Sequence, residues 1–338
     1  MYTSCCLGCG PRARGHAEAY AHVHRGRLEA VCDQDAKRLE AFAEKFAIPR
    51  RYSSLDHMLE AEKPDLLHIV TQPQLRVNLL SQAADRRVPA VLVEKPLALD
   101  AADFSAIRDL GERTDTRICV NHQLRFHPRI LELLGTVRDG GIGELRFLEA
   151  SAGLGLAGQG THILNLMLAF AGDRRPTRIF AQACGKSQWM GGNHPAPDMA
   201  MAEITFQGGL RGLLACGANA PRASADERVH MHKRIAAFGT RGFVHWTMES
   251  WEATTPEGGY QSGEKSYREE DVLGQAAMTD AIFEWLEDDS RPHPNRLEVS
   301  LAESNTVLGL YRSVIDGRPV ELPFQPEGKL LEALAGKL

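Results

Sequence analysis

The sequence predicts an α/β protein with a Rossmann-type doubly wound parallel sheet at the N-terminus. An α+β domain with a large, mainly antiparallel open sheet is expected to follow. Three observations predict this. Short apolar runs alternate with helical patterns as far as Asn121, the grammar of a parallel sheet covered on both faces. A glycine-rich turn follows the first of those runs. Beyond Arg125 the runs lengthen and pair across short connections such as Gln207-Gly208-Gly209, which predicts antiparallel hairpins.

Taken in order, the N-terminal strands are expected at 2–7, 28–33, 66–71, 90–94 and 117–121. Several are apolar throughout, as strands buried on both faces should be. Helices are expected near 14–24, 35–46, 54–61, 74–87 and 101–113, the last capped by Asp100. A helix near 127–138 and a glycine-rich passage at 140–143 open the second half. Strands at 144–152, 177–183, 199–206, 210–218, 234–238 and 242–248 follow, with helices at 160–171, 272–288 and 297–314. The stretches 185–198 and 252–270 read as surface loops.

The chain has 338 residues, 43% of them hydrophobic and 25% charged, with a formal net charge of −5. At ~150 residues per domain, two domains are expected, drawn as 1–121 and 122–338. Each is large enough to bury a core without disulfides or metals. There is no basic stripe to suggest a nucleic-acid partner, and no apolar run approaches the ~18 residues of a membrane span. The opening MYTSCCLGCG lacks the basic and long apolar stretches of a secretory signal, and the seven cysteines are an odd number. A reduced, cytoplasmic setting is expected.

The first strand runs into Gly8-Cys9-Gly10-Pro11-Arg12-Ala13, a G-x-G-x-x-A, and a helix follows. The first glycine permits the tight turn, the second lets a pyrophosphate approach the backbone, and the small third residue lets helix and strand pack closely. Twenty residues after Ala13, Asp33 ends the second run, where a carboxylate accepts the hydroxyls of an adenosine ribose. Such a carboxylate repels a 2′-phosphate, so NAD is the expected cofactor. Lys37 and Arg38 nearby, with Arg12 and Arg14 at the turn, keep NADP open. Cys6 and Cys9 form a C-x-x-C, but a glycine fingerprint is no setting for a thioredoxin-like pair, and buried small residues are expected instead. His22-x-His24 and His230-Met231-His232 lack a third ligand in any zinc pattern, so no metal is expected. Trp189, Trp246, Trp251 and Trp285 read as core or interface residues.

Gly8–Ala13, Asp33, Thr71-Gln72-Pro73 and above all Glu94-Lys95-Pro96 resemble the glucose–fructose oxidoreductase/inositol dehydrogenase/rhizopine-catabolism (Gfo/Idh/MocA) family. Asn121-x-x-x-Arg125-Phe126, Gly160-x-His162-x-x-Asn165, 239–242 and 317–320 extend the likeness over most of the chain. The resemblance implies NAD or NADP at the first domain and a second domain whose open sheet often forms oligomer contacts, so a homodimer or homotetramer is expected. It also implies hydride transfer to or from a hydroxyl of a sugar, cyclitol or related polyol.

The residues themselves allow that chemistry. Lys95 follows the fourth expected strand, at the carboxyl edge where ligands bind. A partly desolvated lysine holds an alcohol oxygen and accepts its proton. By resemblance, Glu94 helps place the nicotinamide ribose, the Lys95–Pro96 bond is expected to be cis, and Gln72 and Pro73 meet the nicotinamide end, with Thr71 beside them. His162 is the second catalytic candidate, while His122 and Arg125 are candidate substrate contacts, Arg125 through a planar fork. Arg125 serves equally as a brace. The family's dehydrogenases commonly carry Asp four residues before this His and often another three after it. This chain has Gly158 and Asn165 there. That departure leaves two other readings beside the dehydrogenase: an NAD-recycling glycosidase or eliminase, and a non-catalytic NAD- or sugar-sensing regulator.

Overall fold

Residues 1–172, 174–187 and 194–338 are described in the computed structural model, and Trp189 lies outside them. Two compact units share the chain. Unit 1 comprises Met1–Ala98, Ser105–Phe126 and Asp271–Leu301; unit 2 comprises Leu99–Phe104, His127–Glu270 and Ala302–Leu338. The boundary drawn at 121/122 falls inside unit 1, and the chain re-enters that unit at Asp271.

Unit 1 is built from β1 (Tyr2–Leu7), α1 (Ala13–Ala19), β2 (Gly26–Cys32), α2 (Ala36–Lys45), β3 (Arg50–Tyr52), α3 (Leu55–Glu62), β4 (Leu66–Ile69), α4 (Arg76–Asp85), β5 (Ala90–Val93), the part of α5 (Ala101–Gly111) from Ser105 on, and β6 (Arg117–Val120). The strands form one sheet in the order β3-β2-β1-β4-β5-β6, and every pair is parallel. The order reverses at β1, so the carboxyl ends of β1 and β4 flank the crevice where doubly wound sheets take ligands. All residues of β4 and β5 are buried, which is why they read as unbroken apolar runs. His68 is the polar exception. β3 was not legible: it is three residues long, sits at the sheet edge, and exposes both of its arginines. Side chains such as Leu67, Ile69, Leu80, Ile107 and Leu110 form one core cluster, and Val31, Phe42 and Ile48 belong to another.

Unit 2 contributes α6 (Pro128–Arg138), β7 (Leu145–Ala152), α7 (Thr161–Phe170), β8 (Pro176–Cys184), β9 (Met199–Phe206), β10 (Arg211–Gly217), β11 (Lys233–Gly239), β12 (Phe243–Thr247), β13 (Ser250–Thr255) and β14 (Gly259–Glu264). Helix α8 (Tyr267–Glu287) leads the chain back into unit 1, and α9 (Leu297–Asp316) leads it out again. There β15 (Val320–Glu321) and α10 (Leu330–Lys337) complete unit 2. Its sheet runs β14-β13-β12-β11-β7-β10-β9-β8-β15; β7 and β10 are parallel and the other pairs antiparallel.

Alternation along these strands sorts the side chains. Leu148, Ile204, Leu214, Ile235 and Val244 are buried, while their neighbours Leu213 and Phe238 are exposed. The expected loop at 252–270 is corrected: it holds most of the β13–β14 hairpin and the first turn of α8. Its outer strand, GYQSGE, is polar and exposed, so no alternation marked it. Trp246 is fully buried in the core, as expected.

Candidate active site

The fingerprint turn is shaped by contact rather than by composition. Gly8 has φ +98°, and a Cβ there would lie 2.3 Å from the Val70 carbonyl oxygen, so β1 turns directly against the end of β4. A Cβ on Gly10 would meet nothing within 4 Å; its backbone faces open space. Pro11 is exposed, and Ala13 is fully buried where α1 packs on the sheet. No side chain caps α1. Cys6 and Cys9 are free buried thiols. Burial first, then the Asp33 charge, pushes Cys9 up to about 12, and burial raises Cys6 as well. Protonated, buried thiols are the opposite of the low-pKa, accessible thiolate that a redox pair uses.

Asp33 follows β2 and is buried. The Cys9 N–H donates to its Oδ2 at 2.8 Å, and the Asp35 N–H to its Oδ1 at 2.9 Å. Arg38 adds a two-pronged contact, Nε to Oδ2 at 2.9 Å and Nη2 to Oδ1 at 2.7 Å. Burial opposes ionisation, but the Arg38 fork and the two backbone donors win, and the carboxyl sits below its ordinary range.

After β4, Thr71 stands beside the fingerprint turn, its Cγ2 3.6 Å from where a Gly8 Cβ would be. Its Oγ1 is buried with no hydrogen-bond partner among the described residues. Gln72 is exposed, and Pro73 is buried at the start of a short 3₁₀ turn. Arg76, fully buried, donates to the Thr71 carbonyl at 3.2 Å and to the Pro96 carbonyl at 3.0 Å, joining this loop to the Glu94-Lys95-Pro96 turn. The Lys95–Pro96 peptide is cis, as expected. Lys95 is partly exposed.

Glu94 is buried at the centre of a polar network. Its Oε1 accepts from Arg12 Nε at 2.7 Å, Asn121 Nδ2 at 2.7 Å and His16 Nε2 at 3.0 Å. Asn121 Oδ1 in turn accepts from Gln275 Nε2 at 2.9 Å, and Gln275 Oε1 from Arg12 Nη2 at 3.4 Å, closing a ring. Burial would neutralise Glu94, yet Arg12, His16 and the nearby Lys95 charge hold its carboxyl well below the ordinary range. Sequence reasoning found Glu94, Arg12 and Asn121 but missed His16, Arg76 and Gln275. His16 carries a readable signal, a histidine on the buried face of α1. Gln275 carries none.

His122 is buried, and its carbonyl accepts from Asn295 Nδ2 at 3.2 Å. Arg125 Nη1 donates to the Pro294 carbonyl at 3.2 Å, a brace inside unit 1. His162 belongs to unit 2, buried in the first turn of α7 behind a π-helical turn, Leu156–Gly160. A Cβ on Gly158 would meet no atom within 4 Å. Asn165 is fully buried and donates through Nδ2 to Glu303 Oε2 at 3.2 Å. An aspartate at 165 would place two buried carboxylates together, so the amide suits this neighbour. Among the described residues, no group of three or more His, Cys, Asp or Glu is arranged to hold a metal, and no helix is long and apolar enough to cross a membrane.

Open space at Gly10, the solitary Thr71 hydroxyl and the ionised Asp33 beside the turn fit a dinucleotide. Together they define a Rossmann domain suited to NAD. Residues 5–122 match the Gfo/Idh/MocA family, described as an oxidoreductase family with an NAD-binding Rossmann fold. Residues 5–122 thus carry the NAD-binding Rossmann domain that this family model describes, and the chain is an NAD-dependent oxidoreductase. It is 29% identical over 290 residues to a D-apiose dehydrogenase of Paraburkholderia graminis, covering 73% of this chain and 75% of that one. A second D-apiose dehydrogenase, from Rhizobium rhizogenes, is 30% identical over 138 residues, 41% of this chain and only 40% of its own length. An oxidoreductase of Agrobacterium radiobacter, crystallised with NAD+, L-tartaric acid and magnesium, shares the fold with a TM-score of 0.81 at 20% identity, over 95% of this chain and 98% of that one.

Proposed function

We propose that this protein transfers hydride between a nicotinamide cofactor and a hydroxyl or keto group of a sugar, cyclitol or related polyol. The observation that carries the reading is Lys95, which follows an ionised, immobilised Glu94 at the carboxyl edge of the parallel sheet. The D-apiose dehydrogenases among its relatives support the substrate class.

Gly8, Cys9, Gly10, Pro11, Arg12 and Ala13 would cradle the cofactor diphosphate, and Asp33 its adenosine ribose. Thr71, Gln72, Pro73 and Glu94 would meet the nicotinamide end. The nicotinamide supplies the hydride acceptor or donor. Lys95 would hold the reacting oxygen and, as the neutral amine, take its proton during oxidation, the ammonium so formed stabilising negative charge on that oxygen. His162, in unit 2, remains the second candidate for acid–base or hydrogen-bonding chemistry, with His122 and Arg125 as orienting candidates. Replacing Lys95 with Ala should lower turnover on a polyol panel by ~10²–10⁴-fold while NADH still binds, measured by absorbance and by fluorescence titration. Full activity in that variant defeats the assignment. NADH accumulating with added NAD separates net dehydrogenation from a cofactor-recycling glycosidase or eliminase, which leaves no lasting signal.

The open face of the unit 2 sheet supports a homodimer or homotetramer. Phe147, Phe238 and Phe243 lie side by side on it, with Leu213 exposed on a nearby strand.

A further inference from the structure

A chain of buried hydrogen bonds runs from the end of α1, through β4, to Glu94. Tyr20 OH lies 2.8 Å from His68 Nε2, His68 Nδ1 lies 3.0 Å from His16 Nδ1, and His16 Nε2 lies 3.0 Å from Glu94 Oε1. His16 and Tyr20 are one helical turn apart, so a single face of α1 presents both to His68 on the adjoining strand. The two imidazoles meet edge to face, with centroids 5.1 Å apart and planes at 87°. Both histidines are buried, His16 at 1% exposure and His68 at 0%.

The chemistry of each atom sets a direction. An ionised carboxylate only accepts, so His16 Nε2 must carry the proton. Burial, ahead of every other influence, lowers the proton affinity of both histidines and keeps them neutral. A neutral imidazole has one donor and one acceptor, so His16 Nδ1 accepts and His68 Nδ1 donates. His68 Nε2 is then an acceptor, and Tyr20 donates to it. Every proton in the chain points toward Glu94.

We propose that Tyr20, His68 and His16 are positioning residues that lock the His16 tautomer and thereby fix the Glu94 carboxylate for the nicotinamide end of the cofactor. The proposal rests on the placement of Glu94 at the cofactor given above. Without the His68 donor, His16 can carry its proton on Nδ1 instead, and its bond to Glu94 is lost. Arg12 and Asn121 then hold Glu94 from two sides rather than three.

Long-range ¹H–¹⁵N spectra of histidine-labelled protein with NADH bound test the chain directly, with His16→Phe and His68→Phe assigning the signals. Neutral His68 in the Nδ1–H form, the minor one in free histidine, and neutral His16 in the Nε2–H form are expected. An Nε2–H His68 or an imidazolium at either site overturns the proposal. NADH fluorescence titration supplies the second readout. Removing one hydrogen bond to a charged group corresponds to about tenfold in affinity. His68→Phe and Glu94→Gln should each weaken NADH by about that much, and the double variant should be no weaker than Glu94→Gln by more than about twofold. Multiplying losses mean that His68 acts only as packing and overturn the proposal. A harmless His68→Phe beside a harmful Glu94→Gln overturns the chain alone, whereas a harmless Glu94→Gln removes Glu94 from the cofactor site and overturns both readings. Tyr20→Phe keeps the ring and loses only the hydroxyl. It should leave His68 in the Nδ1–H form and move its Nε2 resonance toward that of an imidazole nitrogen without a hydrogen bond; an unmoved Nε2 resonance counts against the proposal even if His68→Phe does not fold.

Discussion

Both oxygens of Asp33 already accept two N–H donors each, and Arg38 supplies one to each oxygen. A ribose diol therefore competes with Arg38 for this carboxylate, while a 2′-phosphate would gain the same guanidinium as a partner. Arg38 is half exposed. In Arg38→Ala, NADPH affinity should fall about tenfold, the worth of a charge-assisted pair, while NADH affinity holds or improves. Calorimetric titration with each cofactor checks this, and equal losses for both would show that Arg38 only stiffens the loop. Gly158 is the other instructive residue. A Cβ there enters open space, so Gly158→Asp should fold normally and supply the carboxylate that the family resemblance leads one to expect at this position. Turnover on the polyol panel should rise by about tenfold, modest for an acid–base group. A large fall in melting temperature would mean that the space is not usable.

At the scale of elements, α8 is decisive. Met278, Ile282 and Phe283 are fully buried in one cluster with Leu66, Ala90, Leu92 and Cys119 of the parallel sheet. Phe283 stacks on Tyr2 of β1 with ring centroids 4.8 Å apart, and a Cβ on Gly26 would lie 2.5 Å from its ring. The helix that completes the nucleotide-binding unit is thus supplied from the far end of the chain, and it brings Gln275 to the Glu94 ring. Phe283→Ala should cost about 3–5 kcal/mol by denaturant unfolding and weaken NADH binding with it. A cost below about 1 kcal/mol would show that the sheet does not depend on this helix.

For the molecule as a whole, the exposed face of the unit 2 sheet carries the association prediction. Phe238 and Leu213 are exposed at 36% and 43%, and an apolar face of this kind marks a contact surface. Phe238→Asp should convert the proposed oligomer to monomers in light scattering without lowering NADH affinity. An unchanged mass, or a wild-type protein already monomeric, defeats the assignment of this face.

Legibility followed the range of the interactions. The fingerprint, Asp33, Glu94 and Lys95 were readable because each sits where an apolar run ends, and the carboxyl ends of parallel strands are where such folds place ligands. β3 and β14 were not, because short polar edge strands carry no alternation. The sequence by itself determined the class of sheet, the turn at Gly8 and the presence of an ionisable pair at 94–95, since these follow from local periodicity and from glycine's reach into positive φ. Only the tertiary structure decided what surrounds that pair. His16, Asn121 and Gln275 come from α1, the end of β6 and α8, and their hydrogen bonds span up to 263 residues of chain. A buried carboxylate takes whichever donors packing delivers, and no spacing in the sequence records that choice.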